Sequence, residues 1–109
     1  MIVFQLKLLK KTKINGITLF PFIFIRDKSL KNNKVLMNHE KIHIYQQLEL
    51  LIIFFYLWYV VEYYYWYIKL KDKNLAYHNI CFEREAYAQE QDLNYLEHRK
   101  IWNFLKYRK

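Results

Sequence analysis

A chain of 109 residues has room for one small hydrophobic core. Apolar residues make up 54% of it, which excludes a disordered segment, and a single cysteine, Cys81, excludes an internal disulfide. Eighteen basic side chains against ten acidic ones leave a net charge of +8, which points to anionic partners such as acidic lipid, acidic peptide or nucleic acid.

The first third reads as strand. In "MIVFQLKLL", Ile2, Phe4, Leu6 and Leu8 alternate with Val3, Gln5, Lys7 and Leu9, the period of a pleated ribbon. Asn15 and Gly16, the latter the only glycine, predict a tight hairpin turn because both tolerate positive φ. "TLFPFIFIR" follows as extended chain, with Pro21 marking an edge strand or a bulge, since proline cannot donate to a ladder. "DKSLKNNK" is a polar loop. From Val35 the pattern turns helical, and no Gly or Pro interrupts it before "KLKDKN", Lys69 to Asn74. A second helix is expected to start at Asn79, a good N-cap, and to run through "FEREAYAQEQDLNYLEHRKIW", with the basic tail "NFLKYRK" fraying. These elements predict a single α+β domain over 1–109, with a β-ribbon and loop over 1–34 and a helical core over 35–109. Cys81 is expected as a small buried apolar residue. The N-terminus lacks the basic start and small-residue cleavage site of a secretory signal, so the expected location is cytoplasmic or membrane-associated.

Leu50 to Ile68 is a run of nineteen residues broken only by Glu62. As a helix it would be about 28 Å long, near the thickness of a bilayer's hydrocarbon core. Its six tyrosines and two tryptophans suit an interface better than hydrocarbon, and Glu62 would be costly at depth. A membrane span, a membrane-surface or homodimer contact, and a buried core helix all remain open from these residues.

The chemistry concentrates in "MNHEKIHIYQQLELL". On a helix at about 100° per residue, His43 lies about 40° around from His39 and about 6 Å along the axis, so two imidazoles can converge on one ion. Glu40 points about 100° from His39, which suits a carboxylate that takes a proton from an activated water. Composition alone gives about a 1% expectation of such a pentapeptide, so the pattern needs a third ligand. Glu83 and Glu85 in "CFEREAYAQE" compete for that role. Glu83, Tyr87 and Glu90 share one helix face and Glu85 lies opposite, so Glu83 and Glu85 cannot both bind. His78, five positions before Glu83, and Tyr87 are candidates for stabilising an oxyanion.

"HEKIH" followed some forty residues later by "EREAY" resembles the gluzincin metallopeptidases, whose pattern is His-Glu-x-x-His and then Glu-x-x-Ala-Asp or Glu-x-x-Ala-Asn on a second helix. It is similar to the membrane-embedded CAAX-prenyl-protease type, the soluble ImmA/IrrE type and the minigluzincins. The resemblance covers Met37 to Ile44 and Phe82 to Gln89. It implies a zincin-like core with Zn2+ held by His39, His43 and Glu83, Glu40 as general base, and Glu85 as a non-ligand. It also implies a peptide or protein substrate and an edge strand bordering the cleft. Tyr87 stands where those families carry Asp or Asn to orient a ligand histidine, a departure that bears on metal affinity and activity rather than on the fold.

The site also carries a spatial demand. A straight helix from Val35 to Leu70 followed by a tight turn would leave Glu83 beside Val61, far from His43. Assembly then requires a bend near Glu62 or an extended return over Lys69 to Asn79, which would reach about 36 Å. The functional expectation is a minimal gluzincin-like zinc peptidase scaffold, latent or active and membrane-associated. The alternative is a non-enzymatic basic and aromatic module for a membrane surface, nucleic acid or a protein partner. No recognised nucleic-acid motif supports the nucleic-acid version.

Overall fold

The computed structural model describes residues 2–6, 9 and 15–108. The fold is α+β, with a small sheet preceding the helices. Strands β1 (Ile2–Gln5), β2 (Gly16–Leu19) and β3 (Phe22–Ile25) form a three-stranded sheet in the order β1-β3-β2. β1 pairs parallel to β3, and β2 pairs antiparallel to it with Thr18 opposite Ile23.

This arrangement corrects two expectations. The hairpin turn is at Phe20-Pro21, not at Asn15-Gly16, and Gly16 opens β2 without positive φ. The Phe22–Ile25 segment expected at the edge is the central strand, and Pro21 sits in the turn, where its missing N–H breaks no ladder. Residues 7–8, within the expected first strand, and 13–14, flanking the expected turn, lie outside the described residues.

Five helices follow: α1 (Lys34–Glu49), α2 (Ile53–Leu70), α3 (Lys73–Asn79), α4 (Cys81–Gln89) and α5 (Tyr95–His98). The Asn33 side chain caps α1 by accepting from the Leu36 N–H. The long helix expected from Val35 onward is interrupted at Leu51 and Ile52. Their φ values of 56° and 64° turn the chain so that α1 and α2 meet at 113°. Neither residue is one that takes this conformation readily, and Ile52 is β-branched, so composition carried no signal of the corner. A third residue with positive φ, Lys71, ends α2, and Asp72 caps α3 through the N–H groups of Asn74 and Leu75. Asn79 therefore ends α3 instead of capping a longer helix, and Ile80, with extended backbone, separates α3 from α4.

Helix α1 lies between the sheet and α4. Ile44 packs with Ile23 and Ile25 on the sheet side, and Ile42 packs with Ala86 and Tyr95 on the other. The third cluster joins Phe55 of α2 to Ile80, Cys81, Phe82 and Phe104. Cys81 is thus the buried apolar residue expected. The tail does not fray: Asn103–Tyr107 forms a 3-10 turn that seats Phe104 at full burial against Phe82 and Trp58. Arg99 anchors the same segment. It pairs twice with Glu85 and twice with Glu49, while Tyr95 and Gln46 also donate to Glu85.

Among the described residues, no single helix is long and apolar enough to cross a membrane.

Candidate metal centre

The buried face of α1 is mostly polar. Asn38, His39, Glu40, His43, Gln46 and Gln47 are all buried on it, a costly set unless each group is partnered. The partners come from three directions. Thr18 of β2 donates its hydroxyl to the Glu40 carboxylate at 2.7 Å. The Gln47 amide bridges the β2 edge, donating to the Thr18 carbonyl and accepting from the Phe20 N–H. Asn38 donates to the carbonyls of Gln89, Glu90 and Asp92 at and beyond the end of α4.

His39 and His43 face α4, where Glu83 meets them. Glu83 Oε1 lies 3.1 Å from His39 Nε2 and 3.0 Å from His43 Nε2, and the two Nε2 atoms are 3.2 Å apart. For ligand bonds of about 2.0 Å, the edge of a tetrahedron is about 3.3 Å, so this nearly equilateral triangle has the size of one tetrahedral face. The three side chains are buried and can hold a metal ion.

The second atom of each ligand fixes what the first can do. Glu90 Oε1 lies 3.2 Å from His39 Nδ1 and accepts from it in the tautomer that leaves Nε2 free for a metal. Gln46 Oε1 lies 2.8 Å from His43 Nδ1. The Gln46 NH2 donates to the Phe82 carbonyl and to Glu85, which fixes the amide orientation and makes its oxygen the acceptor for His43. Tyr59, reaching in from α2, donates to Glu83 Oε2 at 2.7 Å and leaves Oε1 as the atom turned toward the histidines. With both imidazoles neutral, two bare Nε2 lone pairs and one carboxylate oxygen converge. Such a group repels itself unless a cation, or a proton, lies among them.

The titrations follow from this crowding. Burial works against the charged form of His43, but the Glu83 carboxylate prevails and pushes it up to about 9. Burial likewise opposes ionised Glu83, and the positive charge and N–H groups of His43 and His39 outweigh it, holding the carboxyl well below its ordinary range. Burial first and then Glu83 raise Tyr59, so its phenol stays protonated and donating. A metal bound here competes with the proton on His43.

The structure thus brings His39, Glu40, His43 and Glu83 together, with Glu40 on the β2 side of the pair. Gly16 of β2 lies beside it: a Cβ there would stand 3.4 Å from Glu40 Oε2, an ordinary contact distance. Tyr87 packs its ring against His39 at 4.4 Å between centroids, and its hydroxyl pairs with that of Tyr77 at 3.1 Å rather than with a histidine. His78 is exposed and stands behind Tyr87, ring to ring at 4.8 Å, with no hydrogen bond to the cluster. Glu85 points away from the ligands, into the Arg99 pair.

The supporting residues Gln46, Tyr59, Thr18 and Glu90 were not assigned roles from sequence. Two had a signal: Gln46 is one turn beyond His43, and Glu90 is two turns beyond Glu83 on the same face. Tyr59 and Thr18 had none, because the corner and the sheet order decide their positions.

The spatial demand is met by a different route from those expected. Neither a bend near Glu62 nor an extended return is used. The tight turn at Lys71 does place the α3–α4 segment back along α2, with the Glu62 carboxylate accepting from the Cys81 N–H at 2.8 Å. The corner at Leu51–Ile52 then folds α1 across, so that His43 reaches Glu83. Comparison of the chain with protein-family models, curated proteins and solved structures finds no match.

Proposed function

We propose that this chain is a minimal gluzincin-like zinc hydrolase acting on peptide bonds. The observation that carries the reading is the convergence of His39 Nε2, His43 Nε2 and Glu83 Oε1 at 3.0 to 3.2 Å, with a second carboxylate, Glu40, one residue beyond His39 on α1. Two neutral imidazoles and one carboxylate form a donor set suited to Zn2+, which His39, His43 and Glu83 would hold. Zinc held there supplies a Lewis acid that acidifies water and polarises a carbonyl.

The protein's own groups do the rest. Glu40 takes the proton from the attacking water and returns it to the leaving amine. Thr18 holds the Glu40 carboxylate by one oxygen and leaves the other, Oε2, toward Gly16. Glu90 and Gln46 keep both histidines in the tautomer that presents Nε2, and Tyr59 holds Glu83 in its single-oxygen orientation. Tyr87, half-exposed at the rim with its hydroxyl paired to Tyr77, is the donor assigned to a developing oxyanion, while His78 positions Tyr87 by ring contact. A substrate strand would enter at the Gly16 end of β2, because the Gln47 amide already occupies the Thr18 carbonyl and the Phe20 N–H.

The test is metal content beside activity. Purified protein is expected to hold about one zinc per chain, and His43→Ala to hold almost none. Glu40→Gln should retain zinc and lose peptide cleavage by about 100-fold or more. Equal, negligible zinc in wild type and His43→Ala would refute the reading, and full cleavage by Glu40→Gln would refute the assigned base.

A further inference from the structure

Helix α2 carries a second feature that the metal centre does not use. Its inner side is committed: Phe55 is buried, Tyr59 serves Glu83, and Trp58 packs on Phe82 and Phe104. Its outer side is apolar as well. Ile53, Phe54, Leu57, Val61, Tyr64 and Ile68 are each between 56% and 74% exposed. At about 100° per residue they fall within an arc of about 100°, a stripe about 22 Å long. An exposed apolar face of this extent on a small domain marks a contact surface.

Charge decides what the surface meets. The one acidic residue of α2, Glu62, is turned inward, where one oxygen accepts from the Trp58 indole and the other from the Cys81 N–H. The stripe therefore presents no negative charge. At its far end come Lys69, Lys71 and Lys73, all exposed, and Lys69 lies over the rings of Tyr65 and Trp66. An apolar helix face that carries Tyr64, is edged by Tyr65 and ends in lysines fits the interfacial zone of a bilayer, with lysines at the level of the headgroups. A second copy of the chain fits less well, because each copy carries a net charge of +8 and they repel on approach.

We propose that the outer face of α2 docks in the plane of an anionic lipid bilayer, the apolar stripe entering the headgroup boundary and Lys69, Lys71 and Lys73 contacting acidic headgroups. The docking is independent of the metal, so it holds or fails separately from the hydrolase reading.

The experiment is co-sedimentation of the full chain, with chelator present, with vesicles of phosphatidylcholine alone or mixed with phosphatidylserine. Wild type should pellet with the mixed vesicles and much less with the neutral ones. Leu57→Glu should lose binding at least tenfold, and a Lys69→Glu, Lys71→Glu, Lys73→Glu triple variant should lose about fivefold or more per charge. Leu57→Ser, with circular dichroism matching wild type, covers the case in which the glutamate variant does not fold. Absence of vesicle binding by wild type overturns the proposal. So does unchanged binding by both Leu57 variants, which would indicate charge attraction without insertion. A lipid-free dimer in analytical ultracentrifugation that Leu57→Ser dissociates, with no vesicle binding, would assign the face to a second copy instead.

Discussion

Glu90 offers the sharpest test of how the candidate centre is built. The gluzincin pattern supplies an Asp or Asn to orient a ligand histidine at the position where this chain has Tyr87. Here Glu90, three residues further on, stands 3.2 Å from His39 Nδ1. Replacing it by alanine leaves the Nδ1–H of a buried imidazole without its acceptor and removes the preference for the tautomer that exposes Nε2. Loss of such an outer partner typically weakens metal binding 10- to 100-fold, or about 1.4 to 2.8 kcal/mol. The Glu90 side chain is 18% exposed, so water replaces part of what is lost. The expected loss for Glu90→Ala is therefore about tenfold, at the lower end of that range. Glu90→Gln keeps an acceptor and should lose about threefold or less. Tyr87→Phe keeps the ring on His39 and should leave affinity within about twofold. The assay is a zinc competition titration against a chromophoric chelator near neutral pH. Wild-type affinity in Glu90→Ala together with a tenfold loss in Tyr87→Phe would refute the reasoning and return the orienting role to position 87.

Three further outcomes are expected. In chelated protein, His43 has a folded pKa raised from 6.5 to about 9. The stability it contributes is complete below 6.5 and lost as pH rises through about 9, so urea midpoints should fall over that window. Zinc-loaded protein should not show the fall, because the metal takes the proton's place. Arg99→Ala leaves Glu85 and Glu49 facing each other in a buried site and should destabilise by about 3–5 kcal/mol in urea unfolding. Phe104→Ala empties a fully buried ring position and should cost about 3–5 kcal/mol, whereas a fraying tail would register almost nothing.

The sequence revealed local elements better than their connections. His39, Glu40 and His43 could be placed on one helix because the 3.6-residue period is intrinsic to it, and the same period separated Glu83 from Glu85. The hairpin was misplaced by one strand because Asn15-Gly16 satisfies the chemistry of a tight turn equally well. Here the glycine opens β2 beside Glu40, without positive φ. The long helix was misread because its corner is made by Leu51 and Ile52, neither of which marks a break. The tail was read as loose because its lysines and arginines dominate its composition, whereas Phe104 and Arg99 anchor it. Glu62 seemed out of place in an apolar run, yet its carboxylate accepts from the first N–H of α4.

The corner at Leu51–Ile52 has a thermodynamic consequence for the whole centre. Two non-glycine residues at positive φ hold the corner in a conformation that costs free energy. The histidines lie before that corner and Glu83 lies after it, so an ion coordinated by all three staples the two arms shut. Chelation should make the amide hydrogens around positions 50–53 exchange faster, and glycine at position 52 should make the same angle easier to hold in the metal-free chain.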